Sequence, residues 1–87
     1  MQRKNLTAGQ IRAARALLRW SAPELARKAV LGVATIKRAE AAEYETSMTA
    51  ANDLAVRRAF ENAGIEFIDQ GGGGPGVRLR EPRPPRM

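Results

Sequence analysis

The sequence predicts a small, mostly α-helical domain of about four helices, closed by a C-terminal β-hairpin. Three observations carry that prediction. Thr7, Ser21 and Thr49 each precede a run whose apolar residues recur every three or four places, the pattern of a capped amphipathic helix. From Ile65 the period drops to two, and two short alternating runs flank a glycine-rich stretch. The chain is 87 residues long, enough for one domain with a modest core.

Taken in order, residues 1–6 read as a flexible basic arm carrying Arg3 and Lys4. Thr7 and Gln10 form a capping box, each side chain accepting the other residue's backbone N–H, and open a helix to about residue 19. Ile11, Ala14 and Leu18 supply its inner face, leaving Arg12 and Arg19 in solvent. Ser21 and Glu24 repeat the box, and Pro23 sits in the first turn, where a missing N–H costs nothing. Leu25, Ala26 and Ala29 then share one face. Val30-Leu31-Gly32 interrupts the helix, and a second run over residues 33–40 turns Ile36 and Ala39 inward and Lys37 and Arg38 outward. The small Ala26 lets the two helices pack closely. This is the logic of a helix-turn-helix, whose second helix is presented to a DNA major groove.

Residues 41–47 read as a loop with Tyr44 between Glu43 and Glu45. With no histidine and no second converging cluster, that acidic pair supports neither acid–base chemistry nor a metal. Thr49 caps a helix over residues 50–63, with Val56, Ala59, Phe60 and Ala63 inward, Leu54 flanking, and Gly64 as the left-handed stop. Arg57 and Arg58 are expected on its outer, solvated face. In the hairpin of residues 65–80, Ile65 and Phe67 face the helices with Val77 and Leu79, and Glu66 lies opposite Arg78 or Arg80. The glycine run lacks a Gly-Lys-Ser/Thr ending and opens no helix, so it is a hairpin tip and not a phosphate loop. Residues 81–87, with three prolines and two arginines, read as a disordered basic tail. The helix-turn-helix domain itself spans residues 7–64.

Composition narrows the function. The formal charge is +6, so the natural partner is a polyanion. There is no cysteine, which excludes disulfides and thiolate zinc sites and fits a reducing cytoplasm. Neither a membrane span nor a signal peptide is expected, and no cofactor or metal set can be assembled. Aromatic residues are scarce, so the core is expected to be Ala, Leu, Ile and Val around Trp20, Phe60 and Phe67.

The stretch ELARKAVLGVATIKRAE resembles the Cro/repressor-type (XRE) helix-turn-helix of bacterial and phage transcription regulators, a lambda-repressor-like fold. The likeness rests on Glu24-Leu25-Ala26, Ala34-Thr35-Ile36 and Glu40. It extends to Arg15 and Trp20-Ser21 and, more loosely, to Gly64-Ile65-Glu66-Phe67. It implies a sequence-specific double-stranded DNA-binding regulator, a repressor more than an activator, acting as a homodimer on a palindromic operator. It also implies an ion pair between Arg15 and Glu40. Val33, Ala34 and Arg38 fall where the family reads base edges, and Lys37 and Thr35 near the backbone. Arg38 suits guanine, and Val33 and Ala34 suit thymine methyls. Ser21, Ala22 and Gly32 can offer backbone N–H groups to phosphate.

One departure stands out: Val30 occupies a turn position where the family usually has glycine. A β-branched residue resists the left-handed region, so either Val30 avoids positive φ or the turn slides toward Gly32. A protein-interaction role, as an antitoxin or anti-activator on the same scaffold, is the competing expectation. The apolar Val33-Ala34 tip supports it, because typical readers carry Gln, Arg or Ser there. An enzyme is not supported, because no nucleophile–base pair is present.

Assembly is argued from a mismatch in the hairpin. Ile68 falls on the face opposite Ile65 and Phe67, and a single reader contacts few bases. A two-fold homodimer is therefore expected, with Ile68, Val77 and Leu79 at or near its interface; pairing through the fourth helix is the alternative, and a regulatory protein partner is open.

Overall fold

Three of the four helices described begin at a polar side chain that caps the first turn. In the computed structural model, which describes residues 5–69 and 73–81, the order is α1 (Ala8–Leu18), α2 (Ala22–Ala29), α3 (Val33–Glu40), α4 (Ala50–Asn62), β1 (Ile65–Ile68) and β2 (Gly76–Leu79). At α1 the capping box is complete: Thr7 Oγ1 accepts from Gln10 N–H at 3.0 Å, and Gln10 Oε1 accepts from Thr7 N–H at 2.9 Å. At α2 only half of the expected box forms. Ser21 Oγ accepts from Glu24 N–H at 3.1 Å, but the Glu24 carboxylate faces Arg27 at 3.8 Å instead of returning to the cap. Thr49 Oγ1 caps α4 through Asn52 N–H at 3.1 Å. Only α3 departs from the rule, with Gly32 in the cap position.

The helix ends correct two expectations. Helix α1 stops at Leu18, and Arg19 takes the left-handed conformation at φ 58°. Val30 does the same at φ 58°, ψ 48°, while Gly32 has an ordinary φ of −73°. Neither way around positive φ is taken at Val30. In both turns the reason lies in the next residue along the chain. Left-handed Arg19 turns the chain so that Trp20 N–H reaches the Arg15 carbonyl at 3.0 Å and the indole enters the core. Left-handed Val30 likewise brings Leu31 N–H to the Ala26 carbonyl at 2.9 Å and packs Leu31 against the core. Closing orphan carbonyls and burying an apolar side chain offsets a conformational cost of about 1–2 kcal/mol. Gly64, at φ 101°, stops α4 as the sequence predicts.

The core gathers Leu6, Ile11, Leu25, Ile36, Val56, Phe60 and Ile65, all fully buried. Trp20 stacks on Phe60 with centroids 5.6 Å apart, and Phe67 meets the same ring edge-on at 5.9 Å. Leu6 is a core residue, so the expected arm is shorter than residues 1–6. Its N–H donates to Asp53 Oδ1 at 2.8 Å, and Asn5 Nδ2 donates to the Met48 carbonyl at 2.8 Å. Arg3, Lys4, residues 70–72 and the tail beyond Glu81 lie outside the described residues.

Arg57 is the largest correction. Expected on the outer face, it is 2% exposed, 3.0 Å from a similarly buried Asp53, and its guanidinium lies 5.8 Å from the Phe67 ring centroid. The inward surface of α4 is wide enough to take in the Asp53–Arg57 ridge beside Val56 and Phe60. Leu54, by contrast, is largely exposed, as is Arg58.

Strands β1 and β2 pair antiparallel with Ile65 opposite Leu79, Glu66 opposite Arg78 and Phe67 opposite Val77. Glu66 and Arg78 form an ion pair on the outer face. The hairpin is tied down by Gln10 Nε2, which donates to the Gly76 and Ile68 carbonyls at 3.2 and 3.4 Å, and by Arg80 Nη1, which donates to the Glu61 carbonyl. Val77 and Leu79 are half-buried against the chain's own core, so of the three expected interface residues only Ile68 stands exposed. Among the described residues no helix is long and apolar enough to cross a membrane.

Candidate nucleic-acid interface

The second helix of the motif, α3, is eight residues long and buries Ile36 and Ala39 against the rest of the domain. Its other face is available. Val33, Ala34, Lys37 and Arg38 are exposed, and Thr35 is half-buried. Lys37 and Arg38 have no ion-pair or hydrogen-bond partner among the described residues. Two adjacent cations, unpartnered among the described residues and flanked by exposed apolar Val33 and Ala34, form an anion-seeking surface.

The N-terminus of α3 adds to it. Gly32 is exposed and caps the helix without a side chain. Its carbonyl accepts from Thr35 and Ile36, leaving the N–H groups of Val33 and Ala34 without an acceptor in the described chain. These are the orphan donors a phosphate oxygen satisfies. At α2, Ser21 is exposed, but its hydroxyl is spent on the cap. Ala22 packs against the core, so only its backbone remains for contact.

Helix α3 is fixed from its other end. Arg15 grips the Glu40 carboxylate through Nε at 2.6 Å and Nη2 at 2.7 Å, as the family resemblance implies, and its Nη1 donates to the Trp20 carbonyl at 3.0 Å. The bond to Glu40 holds the Arg15 pKa above its ordinary value, against a smaller opposing contribution from burial. Arg12, expected to be solvated, also engages: its Nη1 donates to the Glu40 carbonyl at 2.6 Å. Two guanidiniums therefore meet the C-terminus of α3, where the helix dipole favours positive charge. The signal for Arg12 was present in its spacing, because Arg12 and Arg15 are three apart and share one helix face.

In the last turn of α2, Lys28 Nζ sits 5.6 Å from the Trp20 ring centroid, above the stacked aromatic pair. Among the described residues no group of three His, Cys, Asp or Glu side chains converges to hold a metal. Neither a scan of protein-family models nor a comparison with curated proteins returned a match.

Proposed function

We propose that this protein binds double-stranded DNA through α3 and regulates transcription, by occupancy more readily than by recruitment, as a two-fold pair on a palindromic site. The observation that carries the reading is the Lys37–Arg38 pair, unpartnered among the described residues, on a helix held at its far end by Arg12 and Arg15. The +6 charge and the sequence likeness to Cro/repressor-type regulators point the same way. In this reading Arg38 meets a guanine edge, Lys37 and the α3 N-terminus meet phosphates, and Val33 and Ala34 lie against the base edges.

The test is binding of the full chain to duplexes from the region upstream of its own gene, measured by fluorescence anisotropy over a salt series. Tight binding to one segment, weakening steeply with salt, is the expected result. Equal affinity for every duplex would reduce the protein to a nonspecific polycation. A second reading, docking on a protein in the manner of an antitoxin or anti-activator, is favoured by one observation. Val30, 86% exposed, adds a further apolar side chain in the turn that leads to Val33 and Ala34.

A further inference from the structure

Helix α1 carries two residues with little or no side chain, Gly9 and Ala13, one turn apart on the same exposed stripe. They border a groove of about 280 Å³, walled on one side by Glu43 and Tyr44 and on the other by Gly76 and Val77, with Arg12 also lining it. Both walls are bonded to α1. The Tyr44 carbonyl accepts from Ala8 N–H at 2.7 Å, and the Gly76 carbonyl accepts from Gln10 Nε2 at 3.2 Å. The groove is therefore part of the folded frame.

Its charges point to a ligand. Arg12 gives Nη1 to the Glu40 carbonyl, and its remaining donors have no acceptor among the described residues. The Glu43 carboxylate, exposed, has no partner there either. A cation and an anion thus line one groove without pairing with each other. Glu43 repels a polyanion, and Arg12 repels a simple cation. A small molecule that carries both charges satisfies the two together.

We propose that the groove binds a free aliphatic α-amino acid, its carboxylate on Arg12, its ammonium on Glu43 and its side chain against Ala13 and Val77. The volume is near the lower end of small-molecule sites, about 300 Å³, which suits a ligand of that size. Arg12 joins this site to α3, because the same guanidinium holds the Glu40 carbonyl. A carboxylate on its free N–H groups fixes the guanidinium from the other side, so the bound acid tightens the hold on α3 and with it the affinity for DNA. That coupling rests on the reading of α3 as the DNA-reading helix; the site itself does not.

Isothermal titration of the full chain with L-valine, L-leucine and L-methionine tests the site. Saturable binding of at least one is expected, with the Gly9 amide and Arg12 Nε–H resonances shifting in parallel. The amide of that acid lacks the carboxylate and its N-acetyl derivative lacks the ammonium, so each should bind about tenfold more weakly or worse. Glu43→Gln should lose a similar factor without moving the melting midpoint, because Glu43 has no partner among the described residues to lose. Gly9→Leu should abolish binding. A Cβ there meets nothing nearer than Thr7 Oγ1 at 3.9 Å, so the new side chain enters without strain and on a better helix former.

No saturable binding of any of the three acids, or binding that survives Gly9→Leu, would overturn the site. Derivatives that bound as tightly as the acid would overturn the roles given to Arg12 and Glu43. Anisotropy with the preferred duplex reads the coupling: tighter binding in the presence of the acid is expected, and unchanged affinity would overturn the coupling while leaving the site. A chain that bound no duplex would remove the DNA reading and the coupling together, and the titration would still decide the site.

Discussion

One guanidinium holds both carboxylate oxygens of Glu40: Arg15 Nε lies 2.6 Å from one and Nη2 lies 2.7 Å from the other. The pair links the last turn of α1 to the last residue of α3, so the angle at which α3 leaves the domain is set by charge-assisted geometry as well as by packing. Arg15→Met should cost about 1–3 kcal/mol in a thermal melt, because Glu40 keeps little solvent to replace its partner. The folded pKa of Arg15 is raised, so its contribution is complete below the ordinary arginine value and is lost only as pH rises through the folded one. The difference in melting midpoint between parent and Arg15→Met should therefore stay constant from neutral to mildly alkaline pH. A difference that shrank across that window would count against the pair as the cause.

Val30 should yield a more stable protein when replaced. It is 86% exposed and left-handed, so glycine relieves about 1–2 kcal/mol of conformational cost and gives up almost no burial. The extra freedom of glycine in the unfolded chain offsets about 0.4–1 kcal/mol of that gain. Val30→Gly should raise the melting midpoint by a few degrees. A lower midpoint would mean that the isopropyl group has a stabilising contact.

The buried pair on α4 should respond asymmetrically. Asp53 accepts from both Arg57 Nε and Leu6 N–H, so Asp53→Ala takes the acceptor from a buried amide and the nearest carboxylate from a buried guanidinium whose other carboxylate, Asp69, stands at 3.8 Å on the exposed side. A loss of about 3–5 kcal/mol is expected, enough to unfold much of the population of a small domain. Arg57→Met, which keeps an aliphatic stem against Phe67, should cost distinctly less. Chemical denaturation of the two variants side by side checks the order.

On DNA, Arg38→Ala should weaken the preferred duplex by about 1–3 kcal/mol and relax the choice at one base pair per half-site. Lys37→Ala should weaken all duplexes more evenly and flatten the salt dependence. Neither change should move the melting midpoint appreciably, because both side chains are exposed and, among the described residues, unpartnered. Unaltered binding in both variants would remove α3 from the interface.

Legible in the sequence were the features that chemistry makes local. The three caps, the Gly64 stop and the switch of period at Ile65 are each written in neighbouring residues, and the structure has them all; the strand register, left between Arg78 and Arg80 opposite Glu66, is settled by the pairing with Arg78. The Arg15–Glu40 contact, which local chemistry does not encode, was reached only through the family resemblance. What was hidden depends on partners distant in sequence. Leu6 reads as part of a polar arm until Asp53 and Thr46 arrive to receive it. Arg57 reads as solvated because single-residue periodicity ignores its ion pair four residues back, the one local clue to its burial. Val30 defied its propensity because the gain lies in where Leu31 goes next.

Gln10 bonds to the Gly76 carbonyl across 66 residues, and Leu6 bonds to Asp53 across 47. The first helix is therefore finished by the last of the described strands. On a ribosome, α1 emerges early and must wait, with Leu6 and Ile11 unburied, until residue 80 has cleared the exit tunnel. Such long loop closures slow folding relative to a helical bundle of the same size. A message truncated after Asp69 would not release a shorter folded domain. It would release a chain whose α1 lacks its Gly76 acceptor and whose β1 has no partner, a substrate for proteases.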